Sequence, residues 1–234
     1  MATVTESPTE TTAPSKITLD GDQWVQFPAT WEIYTALCEL RGEKSRPRYI
    51  YFDERMTVVS PGIPHEGEAQ RLGGLIEEIL VGLRIKAYPL GSVTLWKSLK
   101  PKAGAEADKT YFLTNLDRVR GKKNLVLGVD PGPDLVVEVV VSHPPGDSLE
   151  CYRLFGVREV WVLEKSGLSI LVLSPDGHYE SSPASACFPF LSTEEISHWA
   201  FRGDIEDEIE LRFQFRSWVE QTLAPRYRLT EDSP

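Results

Sequence analysis

Leu72, Leu75, Ile76, Ile79, Leu80 and Leu83 recur at the spacing of one helical face, which predicts an amphipathic helix from about His65 to Leu83. Carried back towards the first turn, the same stripe runs through Glu68 and His65, a carboxylate and an imidazole on a face that is otherwise aliphatic. A different pattern occupies Asp134 to Val141, a run of mostly β-branched residues between a Gly-Pro and a His-Pro-Pro-Gly. It predicts a strand buried on both sides, with Asp134, Val136, Glu138 and Val140 on one face and Leu135, Val137, Val139 and Val141 on the other. Glu138 sits in its middle. An ionised carboxylate there costs roughly several kcal/mol unless a cation, a metal or a set of donors meets it.

Around these two segments the chain alternates strand and helix signals. Trp31, Tyr34 and Cys38 form one apolar stripe of a short helix that Thr30 caps and Gly42 stops. Tyr49–Phe52 and Arg55–Val59, separated by Asp53-Glu54, predict a hairpin. Ala87–Lys97 is strand-like after its Pro-Leu-Gly, and Glu106–Leu113 predicts a strand on which Glu106 and Asp108 share a face and Lys109 points away. Asp147–Phe155 predicts a helix ending at Gly156, followed by strands over Arg158–Glu164 and Leu168–Leu173. Ser192 and Glu195 make a capping box, and Ile209, Leu211, Phe215, Trp218, Val219 and Leu223 line a terminal helix. Trp199, Phe213, Phe215 and Trp218 suit either an oligomer contact, such as a homodimer, or packing in the core.

The chain has 234 residues, of which 41% are hydrophobic, enough for one substantial core. This predicts a single domain over residues 17–225, between a Thr-, Ser- and Pro-rich disordered tail (1–16) and a short second tail (226–234). A formal charge of -10 argues against wrapping nucleic acid by bulk electrostatics, though not against a local basic groove. Cys38, Cys151 and Cys187 are widely spaced, without a C-x-x-C, so neither a disulfide framework nor a structural zinc site is indicated and a reducing cytoplasm fits. No apolar stretch is long enough to span a bilayer and no secretory leader is evident, so a soluble protein that does not act at a membrane is expected.

If the strands carrying Asp108 and Glu138 are neighbours, the two carboxylates can meet on one hard cation, Mg²⁺ or Mn²⁺. Such a cation serves phosphodiester hydrolysis. The competing reading pairs Glu138 with a buried Arg or Lys, and His65 and Glu68 with backbone and the helix dipole.

Several pieces together resemble a known family. They are Val58-Val59-Ser60-Pro61 with His65, Glu106-Ala107-Asp108, Pro133-Asp134-Leu135-Val136-Val137-Glu138, Asp147 to Trp161, Asp176-Gly177-His178-Tyr179, Ser185 and Phe188-Pro189. The combination is similar to the Uma2 family of restriction-endonuclease-like bacterial proteins, in the PD-(D/E)XK nuclease superfamily. That resemblance, over about residues 49–191, implies an α/β restriction-endonuclease-like core: a mixed β-sheet flanked by helices, with a small helix-and-hairpin extension before it and helices after it. It implies a metal-dependent endonuclease acting on DNA. Asp108 and Glu138 would bind the metal, Glu106 would support them, and His65 or Glu68 would come from the preceding helix. It also implies a lysine near Glu138, where this chain has Val140 and Ser148. A serine cannot supply that charge, so the alternative implied is a nuclease fold without chemistry, acting as a binding or regulatory module. DNA would approach along Lys97, Lys100, Lys102 and the Arg118–Lys123 loop.

Overall fold

The chain builds two β-sheets and passes for the last time from the first to the second at Asp108. The computed structural model describes residue 19 and residues 21–122, 125–205 and 207–231, the side chains of the last two aside. The expected tail over 1–16 and Lys123 of the basic loop lie outside the described residues. The strands are β1 (Gln23–Pro28), β2 (Arg48–Phe52), β3 (Arg55–Ser60), β4 (Tyr88–Leu90), β5 (Val93–Lys97), β6 (Ala103–Ala107), β7 (Lys109–Phe112), β8 (Leu135–Val140), β9 (Glu159–Glu164), β10 (Gly167–Leu173) and β11 (Tyr179–Ser182). The helices are α1 (Trp31–Arg41), α2 (Ile63–Gly82), α3 (Leu116–Val119), α4 (Gly146–Phe155), α5 (Thr193–Ala200), α6 (Glu208–Trp218) and α7 (Ala224–Glu231).

The first sheet has the order β1-β3-β2-β6-β5 and the second β11-β10-β9-β8-β7-β4. Strands β8 and β9 are parallel and joined through α4, while their outer neighbours β7 and β10 run antiparallel to them. The second sheet is therefore the expected mixed sheet. Its β8 separates two cores as the alternation foretold. Leu135, Val137 and Val139 face α2, α5 and α6, whereas Val136 packs with α4 and with the small residues of β6 between the sheets. A third cluster, Tyr34, Cys38, Tyr49, Tyr51 and Met56, seats α1 on the hairpin.

The local signals behave as their chemistry requires. Thr30 accepts from the Ile33 N–H, Ser192 and Glu195 form the reciprocal capping box, and Gly42 and Gly156 end their helices at φ 62° and 70°.

Elsewhere the elements differ from expectation. Ala87–Lys97 is two strands in different sheets, parted at Gly91-Ser92, and Glu106–Leu113 is likewise broken at Asp108. Strand β1, mostly exposed despite Trp24, Val25 and Phe27, carries no alternating pattern and is held by its pairing with β3. The terminal helix continues through a π turn at Val219–Leu223 into α7, so residues 226–231 are helical, with Tyr227 edge-on to Phe190. Trp199, Phe215 and Trp218 pack on one another, with centroids 5.2 to 5.8 Å apart, and of the four aromatics weighed as an oligomer contact Phe213 stays exposed. None of the described helices is long and apolar enough to cross a membrane.

Candidate active site

The register of β7 on β8 sets Lys109 opposite Val137, which brings Asp108 beside Glu138. Asp108 stands at the point where the chain leaves the first sheet. Its backbone N–H donates to Val137 O at 3.0 Å, and its Oδ2 accepts the Val139 N–H at 2.7 Å. The other oxygen, Oδ1, is ion-paired with Arg48 of β2 and lies 3.5 Å from His65 Nε2, from the first turn of α2. Arg48 also pairs with Glu66 at 3.0 Å. His65, Arg48, Asp108 and Glu138 are each no more than 7% exposed.

Glu138 is met from the other side. The Tyr152 hydroxyl donates to its Oε2 at 2.6 Å, His143 Nε2 is 3.7 Å from its Oε1, and Ser148 is buried in the first turn of α4. Burial pushes the Glu138 carboxyl up, but His143 and then Tyr152 pull it the other way and hold the group below its ordinary range. Burial, and then the Glu138 carboxylate, hold the Tyr152 hydroxyl well above its usual value. Burial and then the Arg48 charge lower the His65 imidazole, which favours its neutral form.

Glu106 takes a separate partner. It is ion-paired with Arg41, whose guanidinium is fixed by Pro47 O at 3.0 Å and Thr94 Oγ1 at 3.1 Å. Burial pushes the Glu106 carboxyl up against the pull of Arg41, while Glu106 raises Arg41 against its own burial. Glu68 does not join the centre. It is exposed, because the inward line of α2 steps from His65 to Ala69 and Leu72, leaving Glu68 to one side. Asp134 is structural, accepting the N–H groups of Leu113 and Thr114 and the Thr114 hydroxyl at 2.8 to 2.9 Å.

Sequence reasoning missed Arg48, Arg41, His143 and Tyr152. The one available signal was the need of buried carboxylates for partners; nothing local assigned which partner met which.

Among the described residues, a cavity of about 230 Å³ meets the centre at His143 alone, between Trp24, Gln26, Ile50 and Thr57 on one side and His143, Pro144, Gly146 and Asp147 on the other. A larger cavity, about 960 Å³, is elsewhere, at the start of α1 and the β2–β3 turn.

The profile of the Uma2 family, described as "Putative restriction endonuclease", matches residues 31–205. The chain belongs to the Uma2 family. The matched span holds every residue of the centre just described, and the mixed sheet flanked by helices is the restriction-endonuclease-like arrangement expected of it. Among solved structures, the chain is similar to a "putative nuclease belonging to DUF820" from Anabaena variabilis, at 14% identity and a TM-score of 0.49, over 70% of this chain and 97% of that one. No curated protein matches.

The residues suit a hard cation in one respect and oppose it in another. Two buried carboxylates side by side demand positive charge, and Arg48 supplies it to Asp108 in this structure. Asp108 and Glu138 are oxygen ligands of the right kind, leaving water and phosphate oxygens to complete the shell. Among the described residues, however, no cluster of three or more His, Cys, Asp or Glu is gathered for a metal.

Proposed function

We propose that this Uma2 member is a divalent-metal-dependent endonuclease that hydrolyses DNA phosphodiesters at Asp108 and Glu138. The observation that supports it is a buried Glu138 set beside Asp108 and linked through His143 to a cavity of about 230 Å³. Asp108 and Glu138 would hold the Mg²⁺ or Mn²⁺. When bound, the cation lowers the pKa of a coordinated water and neutralises a phosphate oxygen. The chain's own residues do the rest. Val139 N–H and His65 hold Asp108, Tyr152 and His143 hold Glu138, and the Glu106–Arg41 pair buttresses the first sheet behind them. Glu68, outside the centre, has no role in this reading.

DNA would come along Lys97, Lys100, Lys102 and the loop from Arg118. Lys102 lies over the Trp31 ring and Arg120 over Tyr88, while Arg118 donates to Val129 O. The unpaired Cys38, Cys151 and Cys187 fit a reducing cytoplasm.

Arg48 on Asp108 and a serine at position 148 favour a second reading, a silent nuclease fold that binds without cutting. Mn²⁺-dependent nicking of supercoiled DNA separates the two. Cleavage by the parent that is lost in Glu138→Ala supports the enzyme. Cleavage seen only in Ser148→Lys supports the silent fold.

A further inference from the structure

Position 148 offers a buried hydroxyl that makes no hydrogen bond, and no charge. The nitrogen base that reaches Glu138 comes from the turn before α4, His143, with Nε2 3.7 Å from Oε1. Its ring is 6% exposed, and it forms part of the wall of the 230 Å³ cavity, facing Gln26 and Thr57 of the first sheet. Gln26 is itself fixed, donating to Thr57 Oγ1 at 3.0 Å and to Asp147 Oδ2 at 2.9 Å. A water takes about 30 Å³ in the liquid, so the space admits several waters or a phosphate with its hydration. Among the described residues that line this cavity, His143 is the one placed within ion-pairing distance of Glu138.

We infer that His143 positions the attacking water against the phosphate at this centre, a task for which position 148 has no suitable side chain. The inference rests on the endonuclease reading. Hydrolysis adds one water across one P–O bond: its oxygen bonds to phosphorus, the sugar oxygen departs and takes a proton, and no other reactant is consumed. His143, anchored on Glu138 and open to the cavity, fixes where that water stands. A merely structural His143 would hold Glu138 and the Pro144-Pro145 turn in place, so its loss would take Mn²⁺ binding down together with nicking.

The test uses the full chain, Mn²⁺ and supercoiled plasmid, with His143→Ala, His143→Gln and the double variant His143→Ala/Ser148→Lys. Nicking rate, Mn²⁺ affinity by calorimetry and thermal melting are read for each. The expected result is a loss of about a hundredfold or more in nicking for both single variants, the usual scale for a misplaced or missing catalytic group, with Mn²⁺ affinity within about twofold of the parent and a cooperative melt. Ser148→Lys should then restore about tenfold or more in the His143→Ala background, since an ammonium at that position reaches the same water. Should His143→Ala aggregate, His143→Gln, which keeps polar bulk, carries the same expectation. Unchanged nicking in a folded single variant overturns the inference, as does joint loss of nicking and Mn²⁺ binding, or failure of the lysine to rescue. A parent that neither nicks nor binds Mn²⁺ sinks the endonuclease reading itself and this inference with it.

Discussion

Asp108 Oδ2 accepts the backbone N–H of Val139 at 2.7 Å, so a side chain at the exit of one sheet is tied to the strand of the other. That bond leaves Oδ1 as the oxygen that faces Arg48 and His65. Asp108 thus belongs to the junction of the two sheets as much as to the candidate centre.

Replacing Arg48 with Met should expose this dual role. Breaking a buried pair by removing one partner costs about 3–5 kcal/mol, so the variant should melt well below the parent in a chelator. If Asp108 also receives a divalent cation, Mn²⁺ should raise the melting temperature of Arg48→Met by more than it raises that of the parent. Equal or absent Mn²⁺ shifts in both would assign Asp108 to a permanent ion pair.

Glu138→Gln keeps the shape but removes the charge. The Tyr152 hydroxyl retains an oxygen to donate to, so stability should change by about 1–2 kcal/mol, whereas Mn²⁺ binding should disappear. Calorimetry and urea unfolding on the same samples separate these effects, and retained Mn²⁺ affinity would take Glu138 out of the metal set.

Glu78 predicts a pH dependence away from the centre. Burial raises its carboxyl, but hydrogen bonds from Arg216 and Arg212 of α6 outweigh that and hold it below its ordinary range. A carboxyl lowered in the folded state stabilises the fold above its unfolded value, about pH 4.3, and that contribution is lost as pH falls through the lower folded value. Urea unfolding between neutral pH and pH 3 should therefore show a shallower acid limb in Glu78→Gln than in the parent. Matching limbs would mean the clamp between α2 and α6 does not titrate as described.

Gly132→Ala tests a close approach that fixes α4 against the entry to β8. A Cβ there would overlap the carbonyl oxygen of Phe155, which is backbone and cannot swing aside. A cost of about 1–3 kcal/mol is expected. Gly91→Ala, which meets nothing within 4 Å, should stay within about 0.5 kcal/mol. Denaturant midpoints of the two variants decide it.

Neutralising Arg118, Arg120 and Lys122 tests the DNA path. Each lost phosphate contact should reduce the magnitude of the slope of log K against log salt by about 0.9. An unchanged slope would remove this loop from the path, leaving Lys122 with its Asp130 partner as a solvated turn.

Much was legible along the chain because it depends on neighbours in sequence. The caps at Thr30 and Ser192, the stop at Gly156 and the alternation that puts Val137 and Val139 under α2 are local consequences of side-chain size and donors. The burial of Glu138 followed from the same alternation. Glu106 and Asp108 were legible as acids sharing one face but not as members of different environments, since the break at Asp108 is imposed by the other sheet. Glu68 was misjudged because a helical stripe read from its aliphatic end drifts by the first turn.

The sequence alone determined the alternation of elements, the family and the demand of two carboxylates for positive charge. Only the tertiary structure decided what meets that demand. Arg48 and His65 reach Asp108, and His143 and Tyr152 reach Glu138, from strands, helices and turns brought together by burial of the apolar faces between them. Apolar patterning is short-range and repeats, so it can be read along a chain. The partner of a buried charge is fixed by distances across packed layers, and no spacing in the sequence encodes those.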